Sequence, residues 1–174
     1  MKKVANFYKV TFEQFADDWK KTFNDSENHI LTDEDNMRNI YKCIKLPERS
    51  TAGSAGYDFV SPIGFTLEPG EDIKIPTGIC AEIKEGWVLM LFPRSGLGFK
   101  YGLKLLNTIG VVDQDYFFSD NEGHIFIKIR NEGDLPMTIN TGDKIVQGVF
   151  LPYGITREDD AKETRNGGFG STGR

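Results

Sequence analysis

Apolar and polar positions change rhythm once along this chain. Phe12, Phe15, Trp19 and Phe23 recur at three- and four-residue intervals, the spacing that gathers side chains on one face of an α-helix. Thr11 with Gln14 three residues later has the form of a capping box, which would satisfy backbone N–H groups in the first turn. A second, shorter helix is expected after Thr32. From Tyr41 onward the apolar runs shorten to strand length, and all 19 glycines and all 7 prolines lie there. Strands are expected at 41–46, 71–75, 79–83, 87–92, 103–106, 124–130 and 144–151. Pro69-Gly70, Pro76-Thr77-Gly78, Lys84-Glu85-Gly86 and Asn140-Thr141-Gly142 read as turns between them. The pattern therefore predicts a helical extension over 1–40 and an all-β body, a sandwich or jelly roll, over 41–174.

Composition narrows the function classes. The 174 residues carry a formal net charge of −5, and a pI near 5.1 leaves no global positive field for a nucleic-acid backbone. Any bound phosphate needs a local site. Cys43 and Cys80 form no CxxC pair, and His29 and His124 stand alone, so zinc-ligand spacing is absent and a metal would be held by oxygen. Nothing has the form of a signal peptide, a membrane-length apolar run or a lipidation motif. A cytoplasmic protein without nucleic-acid or membrane partners is the expectation.

Five segments carry candidate chemistry. The tail RNGGFGSTGR has too much glycine for a strand and no following helix, so it is not a Walker-type loop. Gly167, Gly168, Gly170 and Gly173 allow backbone conformations in which successive N–H groups converge on an anion. Ser171 and Thr172 add hydroxyl donors, Arg165 and Arg174 add charge, and Phe169 offers a face to a base. A lid over a nucleoside polyphosphate fits this set, and so does a loose glycine-rich terminus. In NTIGVVDQDY, Asp113 and Asp115 follow an apolar run, where a carboxylate could take a proton from an attacking water or sit in an Asp-rich turn. Pro93-Arg94-Ser95-Gly96 places a charge and a hydroxyl at a strand end, for phosphate or as an exposed turn. Ala55-Gly56-Tyr57-Asp58-Phe59 sets one acid between two aromatics that share a strand face, where Asp58 could stand behind a metal's ligands or be a plain surface acid. In GDKIVQ, Gln147 interrupts an apolar stretch and wants a polar partner, substrate or backbone.

Taken in order, AGYDF, PRSG, GVVDQDY, GDKIVQ and GGFGSTG resemble the five motifs of the trimeric dUTPase family, from Ala55 to the end of the chain. Residues 1–40 stand outside the resemblance. It implies a mainly β, jelly-roll-like barrel assembled as a homotrimer, with active sites at the subunit junctions and a mobile arm over about 157–174. It also implies hydrolysis of dUTP to dUMP and pyrophosphate, with Mg²⁺ held mainly by the triphosphate.

In the resemblance Asp113 matches the acid that activates the water attacking the α-phosphorus, and Gln147 and Ser95 match phosphate- and water-positioning residues. Arg94 supports the site's charge beside Gly96, and Asp58 matches an acid near the metal's water shell. A hairpin carrying Asn107, Gly110 and Val112 would read uracil, and Tyr116 would pack beneath the deoxyribose and exclude a 2′-OH. Arg165 matches a γ-phosphate contact, while Phe169, Gly170, Ser171 and Thr172 belong to the lid.

Three departures mark this chain. Phe117, Phe118, Ser119 and Asp120 precede Gly123 where the family has an earlier glycine, so the hairpin tip is expected to be remodelled. Arg165 lies four residues before Phe169, one closer than in many relatives, and Phe59 replaces a leucine. Two rivals follow. A dCTP deaminase shares the fold and the PRSG-like segment, and would need a catalytic glutamate near the hairpin, for which Glu122 is the candidate. A nucleotide-sensing regulatory protein would use the aromatic stripe of the first helix as a partner surface instead of as core.

Overall fold

A computed structural model describes residues 2–23 and 29–163. The chain opens with β1 (Ala5–Lys9), α1 (Phe12–Phe23), a 3₁₀ turn (His29–Thr32) and α2 (Glu34–Cys43). There follow β2 (Glu48–Arg49), β3 (Tyr57–Val60), β4 (Phe65–Leu67), β5 (Asp72–Pro76), β6 (Ile79–Ile83) and β7 (Trp87–Pro93). Next come α3 (Ser95–Tyr101), β8 (Leu103–Leu105), β9 (Gly110–Val112), a second 3₁₀ turn (Gln114–Phe118), β10 (Phe126–Asn131), β11 (Met137–Ile139) and β12 (Lys144–Pro152).

Antiparallel pairing orders the strands as β2-β3-β12-β7-β9, β5-β10-β8, β1-β6 and β4-β11. Inward residues of these sheets, among them Ile75, Leu89, Leu91, Ile127, Ile129 and Val146, close a single buried core. The expected strands at 71–75, 79–83, 87–92, 103–106, 124–130 and 144–151 are present to within two residues at each end.

The N-terminal helices complete that core. Phe15 and Trp19 of α1 and Met37 of α2 are 0% exposed, so replacing Trp19 by alanine costs about 3–5 kcal/mol. The Trp19 indole N–H donates to the Leu31 carbonyl at 2.9 Å. Half of the expected capping box forms, with Thr11 Oγ1 accepting from the Gln14 N–H at 3.2 Å. The other half is supplied from far away, because the Thr11 N–H donates to the Glu122 carboxylate at 2.7 Å.

The strand expected at 41–46 does not form. Asp33 caps α2 by accepting from the Asn36 N–H, and the helix runs through Tyr41 to Cys43, so the boundary drawn at residue 40 falls inside it. Aromatic packing holds Tyr41 there, its ring between Phe12 and Phe15 and its hydroxyl donating to the Val10 carbonyl at 2.6 Å. β1 was not foreseen. Its Phe7 packs on Tyr57, Phe59 and Phe150, which face it from β3 and β12.

Candidate active site

Strand register builds one polar cluster. Gln147 of β12 lies directly opposite Asp58 of β3 on one side and Phe92 of β7 on the other, so the three share a sheet face. Arg94 follows at the end of β7. A bulge in β12 between Lys144 and Val146 lets Val146 turn into the core while Lys144 turns toward Asp58. The Asp58 carboxylate is 5% exposed and accepts from Ser50 Oγ at 2.6 Å, Lys144 Nζ at 2.8 Å and the Arg94 guanidinium. Burial alone would raise this carboxyl, yet the hydrogen bonds from Lys144, Ser50 and Arg94 outweigh it and hold it below the usual carboxylate range. Lys144 Nζ also donates to Ser50 Oγ at 2.6 Å.

A Cβ on Gly56 would lie 2.6 Å from Gln147 Oε1, so the glycine is what admits that amide. Arg94 is the N-cap of α3, and Ser95 and Gly96 stand exposed in its first turn, where helix N–H groups have no partner inside the helix. Gly102, left-handed at φ 64°, ends α3 after two turns against the backbone of Gly133. Ser50 and Lys144 were not singled out from sequence. Nothing in GDKIVQ reveals the bulge that aims the lysine.

The segment 107–116 is placed differently. Instead of a hairpin it forms a corner, in which Asn107 is exposed, Thr108 is left-handed at φ 64° and the chain then enters β9. Gly110 presses β9 against β7, since a Cβ there would meet Leu91 Cβ at 3.0 Å, and Val112 is buried opposite Leu89. Asp113, half-buried, stands at the N-cap position of the 3₁₀ turn that carries Tyr116, without a side-chain capping hydrogen bond. That turn replaces the returning strand because Phe117 packs on Tyr8 and the Tyr116 hydroxyl points inward, donating to the His124 carbonyl at 2.7 Å.

Comparison with known proteins decides what this arrangement belongs to. Residues 42–173 match the family model for dUTPase. The deoxyuridine 5′-triphosphate nucleotidohydrolase of Lactococcus lactis subsp. lactis is 46% identical over 133 residues, 75% of this chain and 89% of that protein. The chain belongs to the dUTPase family. Among solved structures, the dUTPase of Streptococcus mutans superposes with a TM-score of 0.57 at 42% identity, covering 64% of this chain and 88% of that one. A variant of the dUTPase from phage phi11 of S. aureus superposes with a TM-score of 0.55 at 28% identity, covering 68% and 90%. The mainly β body is thus the jelly-roll-like fold of dUTPases, here with helices packed on its N-terminal side.

Within this dUTPase-family chain the motif residues divide into two groups. Asp58, Arg94, Ser95 and Gln147 gather where β7 ends. Asp113 follows Val112, which pairs with Leu89 near the start of β7, so it lies on the order of 15–20 Å from Arg94 at about 3.3 Å per strand residue. One chain does not bring the two groups together. Arg165, Phe169, Gly170, Ser171 and Thr172 lie outside the described residues. Among the described residues no three His, Cys, Asp or Glu side chains stand together as a metal site, and no helix is long and apolar enough to cross a membrane.

Proposed function

We propose that this chain hydrolyses dUTP to dUMP and pyrophosphate as a homotrimer whose active sites lie between copies. The observation that carries the proposal is the division just described. The Arg94 group of one copy and the Asp113 group of another make a complete set only when two chains meet, a head-to-tail contact that closes into a ring.

In this reading Asp113 takes a proton from water as the water oxygen attacks the α-phosphorus in line, and the bond to the bridging oxygen breaks to release pyrophosphate. Arg94, Ser95 and the first-turn N–H groups of α3 receive phosphate oxygens, and the Gln147 amide positions the water or a phosphate. Gly110 and Val112, with Asn107, read the uracil edge. Tyr116, its hydroxyl held by the His124 carbonyl, packs beneath the deoxyribose in this reading and excludes a 2′-OH. The tail residues Arg165, Phe169, Gly170, Ser171 and Thr172 close over the nucleotide as a lid.

Mg²⁺ fits the donor set only indirectly. Both Asp58 oxygens are already engaged, one by Arg94 and the other by Ser50 and Lys144, so this carboxylate suits a contact through the metal's water. Riding on the triphosphate, Mg²⁺ would neutralise charge on the phosphates and on the leaving pyrophosphate. The phage phi11 relative coordinates a structural Mg(II) ion. Free Cys43 and Cys80 suit the reducing cytoplasm we propose for this enzyme.

The rival readings lose their supports. Glu122 spends its carboxylate on the start of α1, binding the Thr11 N–H and Oγ1 at 2.7 Å each, so it is not poised for deamination. The aromatic stripe of α1 is core and not a partner surface. Pyrophosphate release with Mg²⁺ from dUTP, run beside dTTP, dCTP and UTP, tests the proposal. Turnover of dUTP alone is expected. Ammonia release from dCTP without pyrophosphate would overturn it.

A further inference from the structure

Helix α1 carries a second stripe beside its aromatic one. Thr11, Gln14 and Asp18 stand at helical spacing on one face, and all three are committed to the same loop or to each other. The Glu122 carboxylate receives the Thr11 N–H and hydroxyl, as above. Two turns further on, the Asp18 carboxylate accepts from His124 Nδ1 at 2.6 Å and from Gln14 Nε2 at 2.8 Å. His124 is 0% exposed, and its Nε2 accepts the Gly78 N–H at 2.7 Å, which places the ring proton on Nδ1.

Both anchors meet the chain directly behind Tyr116. The Tyr116 hydroxyl donates to the His124 carbonyl and accepts from Asn121 Nδ2 at 2.9 Å. Gly123, left-handed at φ 66°, packs so closely that a Cβ would lie 2.7 Å from Phe117 Cα and 2.9 Å from the Tyr116 carbonyl. A shift of residues 122–124 therefore passes straight into 116–117, and through the 3₁₀ turn, where the Tyr116 N–H donates to the Asp113 carbonyl at 3.2 Å, to Asp113. Of the places where this chain differs from the family pattern, two bind one another. α1 lies before the matched residues 42–173, and the loop holds Phe117 to Asp120 where the family has a glycine.

We propose that α1 is a positioning brace for the catalytic loop, acting through the Thr11–Glu122 and Asp18–His124 contacts to set Asp113 and Tyr116 against a triphosphate held by a neighbouring copy. The inference rests on the reading of Asp113 as the base. The contacts do more than add stability, because they converge on one loop, and misplacing a catalytic group by about 1 Å can cost on the order of 10²-fold in rate.

The test compares Asp18→Leu with Asp18→Asn in the full chain, and adds the double variant Thr11→Val/Glu122→Gln. Each is assayed for kcat and KM on dUTP and UTP, well below its own melting temperature. Asp18→Leu is expected to lower kcat on dUTP by about 10- to 100-fold while KM moves less than about threefold, and to shrink the preference for dUTP over UTP. Asp18→Asn keeps an acceptor for His124 Nδ1 and restores kcat to within about threefold. If Asp18→Leu does not fold, the double variant, at the exposed start of the helix, carries the test with a fall of about tenfold. Variants that melt lower but keep kcat and the dUTP preference would reduce the brace to a fold-stabilising contact and overturn the proposal. Asp113→Asn in parallel separates the two ideas. Near-normal turnover there would remove the base itself, whereas a dead Asp113→Asn beside unimpaired brace variants would remove only the brace.

Discussion

The two ends of β7 position their groups by different means. At the Arg94 end, three neighbouring strands set Asp58, Gln147 and Phe92 side by side, and one buried carboxylate ties in Arg94, Lys144 and Ser50. At the other end Asp113 stands just past a three-residue strand, on a 3₁₀ turn that reaches rigidity through Tyr116, Glu122, His124 and a helix far away in sequence. Register is local to a sheet and tolerates little slippage. A loop has no such constraint and must borrow one. The difference teaches that the Arg94 end is held by its own sheet, while the Asp113 end is tied to the N-terminal helix through Glu122 and His124.

Removing residues 1–39 is the harshest way to break the comparison. It takes away β1, Phe15, Trp19 and Met37, so loss of the cooperative melting transition is expected. A soluble, folded truncation would show that the helices are an appendage. Asp113→Asn comes next, with turnover reduced about 10²- to 10⁴-fold and affinity for an imido analogue of dUTP retained. Steady-state kinetics and calorimetric titration read the two quantities apart.

Asp58→Asn probes the Arg94 end. It leaves Arg94 and Lys144 without their shared counter-ion, and because those side chains are 35% and 44% exposed the cost is about 2 kcal/mol, less than for a fully buried pair. Its sign with pH follows from the lowered Asp58 carboxyl. The stabilisation is present above the unfolded value near 3.9 and is lost as pH falls toward the lower folded value. Urea midpoints taken across acid pH should therefore fall less steeply in the variant, with Asp18, also held low despite its burial by hydrogen bonds from His124 and Gln14, contributing to the slope in both proteins. Gly56→Ala is the mildest. Its Cβ displaces the Gln147 amide and not the backbone, so kcat/KM should drop about tenfold with little change in melting temperature.

Much of this was legible in the residues themselves. Helical spacing revealed α1, and Thr11 with Gln14 marked its start within a residue. The five motifs named the family and the polar groups at both ends of β7. What escaped was set by tertiary contact. Tyr41 to Cys43 alternate like a strand but are drawn into α2 by the rings of Phe12 and Phe15. Lys144 reaches Asp58 beside the bulge in β12, and Ser50 reaches it from the end of β2, which pairs with β3. The expected hairpin became a 3₁₀ turn once Phe117 found Tyr8 and the Tyr116 hydroxyl found His124. Apart from Ser50 with Asp58 and Tyr116 with His124, each eight residues apart, these partners are far apart in sequence.

Subunit complementation tests the central claim, that the two ends of β7 work in different copies. Asp113→Asn and Arg94→Ala are each expected to be nearly inactive alone. Unfolded together in equal amounts and refolded, they should regain about a quarter of wild-type turnover, the share of randomly assembled junctions that join an intact Arg94 group to an intact Asp113 group. Mixed assemblies with no more activity than the separate variants would contradict the shared site and place both groups in one chain.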